Sequence, residues 1–417
     1  MANISNFVKR IRDIMRNDAG INGDAQRIEQ MSWMLFLKVY DTKEADWEFA
    51  EEDYKSIIPE NCRWQNWGHE AKPGEGMTGD TLLDFVNNTL FPTLKKLEVT
   101  PETPVKKAIV KTVFEDANNY MKDGVLLRQV LCVIDELDLG DYEESHAFGD
   151  IYESILKELQ SAGSSGEFYT PRAVTEFMAE RINPKLGETV ADFACGTGGF
   201  LTSWLKQLEN KTNSAEDVLK YSSSIYGIEK KPFPYTLCIT NMLLHGIDVP
   251  RIYHDNSLQY DVLNYTDDDR FDVILMNPPY GGNEKSDIKS HFASDLASSE
   301  TADNPATKET WFYRLDMPEG YKHFSKTKPM KIEHFEEARI WWENRQEIEE
   351  DGFPKAKKYT NKELTDLGYN IDLCGYPHEE EEILAPKDLI ARYEEKRASL
   401  NAEIDSVLAD ITRILGE

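Results

Sequence analysis

The chain has 417 residues, with 47 Lys+Arg against 76 Asp+Glu and a net charge of −29. Its 40% hydrophobic and 11% aromatic content can fill the cores of two or three domains, which excludes a disordered or collagen-like chain. The charge excludes broad electrostatic wrapping of nucleic acid by this chain alone, since phosphate binding runs on Lys and Arg, but leaves room for a subunit whose nucleic-acid affinity is supplied by a partner.

Cys62, Cys132, Cys195, Cys238 and Cys374 are widely spaced and form no CxxC, and the eight histidines form no HExxH, so neither a disulfide scaffold nor a metal site is expected. The start MANISNFVKRIRDIM lacks the apolar centre of a signal peptide. No apolar run approaches the roughly 20 residues that span a bilayer, so a cytoplasmic protein without membrane contact is expected.

Residues 1–158 read as a helical domain. Phe7, Ile11 and Ile14 share one helical face, and Met31 to Tyr40 (MSWMLFLKVY) is dense enough for a buried helix. Lys72 to Gly79 (KPGEGMTG) reads as a loop. Further helices are expected over Thr81–Leu90, Val105–Val113, Gly124–Leu137 and Phe148–Gln160. Ser161 to Gly166 (SAGSSG) is a flexible run before EFYTPRAVTEFMAERI, where Pro171 suits a helix start.

Residues 159–370 form the second expected domain. From Thr189 the pattern becomes strand, glycine turn and helix; SIYGIE is a second strand ending at Glu229, a helix covers Tyr235–Leu244, and FDVILMN is a strand ending at Asn277. These are the alternating units of an α/β fold with a mostly parallel sheet, whose ligands bind beyond the carboxyl ends of the strands. Lys285–Thr310 is polar and short, with a possible strand following at Trp311–Leu315. Part of the sheet is therefore expected to be absent from this chain. Residues 371–417 are expected to form an amphipathic helical tail, with Leu389, Tyr393, Leu400, Ile404, Leu408, Ile411 and Leu415 at roughly helical spacing; packing on a partner and folding back on the chain itself both suit that stripe.

Asp192 to Phe200 reads DFACGTGGF. Gly196 and Gly198 permit a tight turn with close approach of a ligand, and Gly199 adds room at the start of the helix. The turn lacks the Gly-Lys-Ser/Thr ending of a phosphate-binding loop and the spacing of the dinucleotide fingerprint, so a nucleoside ligand without pyrophosphate fits better. On this reading Gly198→Asp is expected to fill ligand space. Glu229 can accept hydrogen bonds from ribose hydroxyls and Asp255 can read an adenine amino group; a solvated strand end and an Asx turn are the alternatives.

Asn277, Pro278, Pro279 and Tyr280 form NPPY directly after the last strand. The Asn277 side-chain carbonyl and the Pro278 main-chain carbonyl can accept both hydrogens of an exocyclic amine, Pro279 restricts the backbone, and Tyr280 can stack on a planar base. Held that way, the amine nitrogen points its lone pair at an electrophilic methyl group, and orientation replaces a strong base.

With GEFYTPRAV at Gly166–Val174, DFACGTGGF at Asp192–Phe200 and NPPYGG at Asn277–Gly282 in that order, the chain resembles the modification subunits of Type I restriction-modification systems, which are S-adenosylmethionine-dependent adenine-N6 DNA methyltransferases. The resemblance implies a class I S-adenosylmethionine-dependent methyltransferase sheet flanked by an N-terminal helical domain and a C-terminal helical tail. It implies that Glu167, Tyr169, Thr170 and Pro171 close the cofactor pocket, and that Asp192, Ala194, Gly196, Thr197, Gly198, Gly199 and Phe200 line it. Glu229 takes the ribose, Asp255 the cofactor adenine, and Asn277 to Tyr280 the target adenine, flipped out of double-stranded DNA. The implied partners are a DNA specificity subunit, bound by two modification subunits, and an ATP-dependent restriction subunit. NPPY alone does not identify the polymer, so RNA adenine or protein glutamine as substrate, and a noncatalytic assembly subunit, are the competing readings.

Overall fold

The computed structural model describes residues 4–72, 74–137, 139, 152, 170–260, 266–278, 288, 308–325, 328–368, 373–374 and 386–415. Two compact units emerge, one comprising Met1–Ala302 with Leu315–Asn344 and the other Asp303–Arg314 with Arg345–Glu417.

The first unit begins with helices α1 (Ile4–Met15) and α2 (Gly23–Ala50). The short α3 (Trp64–Trp67) follows, then α4 (Gly79–Asp84), which runs through a π-helical turn at Phe85–Leu90 into α5 (Phe91–Lys95). Helices α6 (Val105–Glu115) and α7 (Gly124–Asp135) complete this part. The expected helices are thus present, except Phe148–Gln160, of which only Tyr152 lies among the described residues.

Helix α2 buries Met31 to Leu37 without a break because it is covered on more than one side, as an all-round apolar helix must be. Trp33 packs edge-on to Phe91 at 5.0 Å and stacks toward Trp67 at 6.4 Å. Arg128 of α7, itself buried, ties the preceding loop down by donating to the carbonyls of Trp67, Gly68 and Met77 at 2.6–2.9 Å.

The same unit continues with α8 (Arg172–Ile182), β1 (Val190–Asp192), α9 (Gly199–Glu209), α10 (Ala215–Ser223), β2 (Ile225–Glu229), α11 (Pro232–Leu244), β3 (Ile252–His254) and β4 (Val273–Ile274). The four strands are parallel in the order β3-β2-β1-β4. That order reverses direction at β1, so the carboxyl ends of β1, β2 and β4 converge at a switch point. Helix α11 packs on α2, Lys43 pairs with Asp248 at 3.4 Å, and one apolar core runs from the helical part into the sheet.

The fourth strand is only two residues long, and Ile274 on it is 56% exposed. Among the described residues no further strand joins this sheet. The expected strand near Trp311 is observed as β5 (Glu309–Tyr313), and it does not extend the parallel sheet. In the second unit it pairs antiparallel with β7 (Phe353–Thr360), which also pairs with β6 (Ile348–Glu350).

The β6–β7 hairpin, which no sequence expectation covered, turns at Asp351 and Gly352, whose φ angles are 53° and 80°. Asp-Gly is the dipeptide that favours this type I′ geometry. Helix α12 (Glu336–Glu343) belongs to the first unit. Thr360 caps α13 (Asn361–Asp366) reciprocally with Glu363, and the expected tail helix is observed as α14 (Pro386–Leu415). Ile390, Tyr393, Leu400, Ile404 and Leu408 on α14 are exposed. The acidic run at 378–382 lies outside the described residues.

Candidate active site

The glycine turn is built by backbone bonds between neighbouring elements. Cys195 N–H donates to the Ile228 carbonyl of β2 at 3.0 Å, and Gly198 N–H donates to the Cys195 carbonyl at 2.7 Å. Gly196 and Gly198 have φ of 53° and 81°, the left-handed region where a Cβ is strained. Beneath the turn, the buried Asn241 of α11 donates Nδ2 to the Thr197 carbonyl at 3.2 Å.

A Cβ at Gly198 would stand 2.9 Å from Cys238 Sγ and 3.0 Å from Met242 Cε. It would enter the core under α11, which corrects the expectation that a side chain at 198 grows into ligand space. Gly199 is different. Its missing Cβ makes way for the Arg172 guanidinium, whose Nη1 would lie 2.6 Å from it.

Two acidic side chains brace the turn. Glu229, at the end of β2, accepts from Gly196 N–H at 2.8 Å and from Lys231 N–H at 2.7 Å. Asp192, at the end of β1, is 1% exposed and accepts from Ala194 N–H at 3.1 Å. Burial pushes the Asp192 carboxyl up to about 7, the Ala194 bond opposes that rise, and the negative Glu229 adds to it.

Asn277 follows β4, where its Nδ2 donates to Thr170 Oγ1 at 3.0 Å. The bond spans 107 residues; in this arrangement the NH2 faces Thr170 and the carbonyl oxygen is at the other end of the amide. Thr170, Asp192, Gly196 and Asn277 line one cleft, about 390 Å³ when the open solvent at its mouth is included.

Of the residues the sequence singled out, the cleft wall brings together Thr170, Asp192, Ala194 and Asn277. Gly196, Thr197, Gly199 and Phe200 join them along the turn. Pro171 is the residue before α8, and Gly198, Glu229 and Asp255 stand outside this wall. Asp255 follows β3 and closes its own loop, accepting from Asn256 N–H at 2.8 Å and from the side chains of Gln259 and Tyr260. Glu167, Tyr169, Pro279 and Tyr280 lie outside the described residues.

Sequence reasoning missed Arg172, Thr175 and Cys195 in the wall and Asn241 beneath it. A signal for Arg172 existed: a cation in the first turn of a helix opposes the helix dipole and needs a partner that holds it there. For Asn241 no local signal existed, because α11 is apolar around most of its circumference. His254, the last residue of β3, donates Nε2–H to the Lys230 carbonyl at 3.1 Å and packs on Tyr235. Among the described residues no group of His, Cys, Asp and Glu is placed to hold a metal ion, and no helix is long and apolar enough to cross a membrane.

Residues 143–304 match the N-6 DNA Methylase family, and residues 4–134 match the HsdM N-terminal domain. The chain is 40% identical to the Type I restriction enzyme EcoEI methylase subunit of Escherichia coli, over 98% of this chain and 97% of that protein. That alignment is 489 positions long, more than the 417 residues available, so the relative carries stretches with no counterpart here. A crystal structure of a modification subunit of a putative type I restriction enzyme from Vibrio vulnificus YJ016 superposes with a TM-score of 0.69 at 32% identity, covering 87% of this chain and 92% of that one. A chain from a structural study of type I R-M complex assembly and conformational transition gives a TM-score of 0.74 at 28% identity, covering 99% and 98%.

Proposed function

Because this chain belongs to the family of Type I restriction enzyme methylase subunits, we propose that it is the modification subunit that methylates DNA adenine at N6 using S-adenosylmethionine. The observation that carries this reading is Asn277 just after β4, its amide bonded to Thr170 Oγ1 in the same wall as the glycine turn. When bound, S-adenosylmethionine supplies a methyl group activated by its sulfonium. The site's donor set suits such a ligand, with a buried carboxyl at Asp192 for an ammonium and backbone shaped by Gly196 for close approach.

The chain's own residues do the rest by orientation. Asn277 Oδ1 and the Pro278 carbonyl accept the two hydrogens of the target amine, which draws the nitrogen lone pair out of conjugation and aims it into the cleft. Tyr280 stacks on the flipped base, and Pro279 stiffens the turn. Glu167, Tyr169, Thr170 and Pro171 close the cofactor side. Glu229, at the end of β2 beside the glycine turn, takes the ribose, and Asp255, just after β3, reads the cofactor adenine.

The net charge of −29 supports delegated DNA recognition. A specificity subunit supplies the sequence reading, two copies of this chain bind one such subunit through α14, and an ATP-dependent restriction subunit joins them in the cytoplasm. The exposed apolar side chains on α14 support that assembly role. One observation favours a second reading, a subunit that binds cofactor without turnover: the parallel sheet stops at a two-residue β4 among the described residues.

Asn277→Ala tests the proposal. In complex with the specificity subunit, the variant should keep cofactor binding and lose more than about a hundredfold of single-turnover tritium transfer from labelled S-adenosylmethionine into DNA, the scale of losing a preorganised polar group. Near-normal transfer rejects the assigned role, and wild-type binding without transfer selects the second reading.

A further inference from the structure

With 76 Asp and Glu against 47 Lys and Arg, the chain has carboxylates to spare for its cations; Lys355 and Lys358 of β7, for example, take Glu350 and Glu309 at 3.1 and 2.9 Å. The segment from Tyr321 to His334 departs from that pattern. Its Lys322, Lys328 and Lys331 are exposed, and among the described residues none of the three pairs with a carboxylate, the neighbouring Glu319 and Glu333 included. Like charges gathered without counter-charges repel one another, so this surface is stabilised by an anion from outside the chain.

The segment is also built to hold its shape. Tyr321, Phe324 and His334 form an aromatic cluster with ring centroids 5.3–5.7 Å apart. Ser325 and Lys328 exchange backbone bonds at 2.9 and 3.1 Å, and Lys328 Nζ stands 4.9 Å over the Tyr321 ring while donating to the Gly320 carbonyl at 2.8 Å. The segment runs into the 3₁₀ turn Ile332–Phe335, where Phe335 stacks on Phe177 of α8 at 4.8 Å. Helix α12 follows and pairs Glu343 with Arg181 at 2.7 Å and Arg339 with Glu180. The lysines are thereby fastened to the helix that begins two residues after Thr170, the partner of Asn277. Phe177 lies about 8 Å along that helix from its start.

A polyanion lying across the cleft passes this surface, and duplex DNA offers a phosphate charge about every 1.7 Å of its axis. Resting on the DNA reading above, we propose that Lys322, Lys328 and Lys331 contact the phosphate backbone flanking the flipped adenine. Lysine suits the task as a point charge on a flexible stem, which grips phosphate without addressing a base. The surface positions the duplex and leaves its sequence to be read elsewhere.

The test follows binding of the complex with its specificity subunit to fluorescent duplexes, with and without the recognition site, by anisotropy between about 50 and 200 mM salt. Each phosphate contact contributes about −0.9 to the slope of log K against log salt, so Lys322→Gln, Lys328→Gln and Lys331→Gln together should flatten it by about 2.7 per copy of this chain. Both duplexes should weaken by the same factor, and cofactor affinity should stay at the wild-type value. Lys322→Gln alone, at an exposed position, should flatten the slope by about 0.9 per copy and keeps the test decisive if the triple variant fails to fold.

An unchanged slope would overturn the proposal. So would loss of binding to the site-bearing duplex alone, which marks a base reader, or loss of the specificity subunit in light scattering, which marks a protein interface. A wild-type complex that binds neither duplex would instead sink the DNA reading on which the proposal stands.

Discussion

Replacing Asp192 by Asn removes a charge without changing shape, and the Asn carbonyl can keep the bond from Ala194 N–H. The folded carboxyl titrates at about 7 against an ordinary value of 3.8. The unfolded chain therefore gives up this proton near 3.8 while the folded chain holds it to about 7. The associated stability is fully present below 3.8, declines as pH rises through that window, and is level above 7.

At about 1.4 kcal/mol per unit, the ionised carboxylate loads the folded state by roughly 4 kcal/mol at about pH 8. The Asp192→Asn variant carries no such load. Urea unfolding of the ligand-free chain, followed by tryptophan fluorescence, should show the variant gaining on wild type by about 2 kcal/mol between roughly pH 5.5 and 7 and no further from roughly pH 7.5 to 8.5. The same variant should bind S-adenosylmethionine at least about tenfold more weakly, because the counter-charge for the ammonium is gone. A stability gap that stays constant across the pH range would refute the placement of Asp192 as a buried, desolvated acid.

Gly198→Ala should lower the midpoint of thermal unfolding through a loss of about 2–4 kcal/mol, combining left-handed strain with overpacking against Cys238 and Met242; an unchanged midpoint would contradict the turn geometry. Arg128→Ala should cost about 3 kcal/mol or more in denaturant unfolding, because it strands the carbonyls of Trp67, Gly68 and Met77, and a cost below about 1 kcal/mol would show that water replaces them. Removing Leu389–Glu417 should leave cofactor affinity intact and weaken assembly with the specificity subunit, measured by size-exclusion chromatography with light scattering. Assembly as tight as that of the full chain would reject α14 as the interface.

Much of this protein is legible in its sequence because the information is local. Apolar spacing marks α2 and α14, and the run DFACGTGGF marks β1, the turn and α9 in order. NPPY marks a strand end because two prolines stop a strand from pairing further. The Asp351-Gly352 hairpin was equally local and could have been read from its dipeptide, since both residues take the positive φ that Asp-Gly tolerates.

What the sequence could not decide depends on which distant residues share a low-dielectric space. Thr170 orients Asn277 across 107 residues, Asn241 supports the turn from α11, and Arg172 occupies the space that Gly199 vacates. The direction of a missing Cβ at Gly198, and the rise of Asp192 toward neutrality, follow from packing and desolvation. Neither has a local code, because both are set by what the strands and helices around the turn bring to one point.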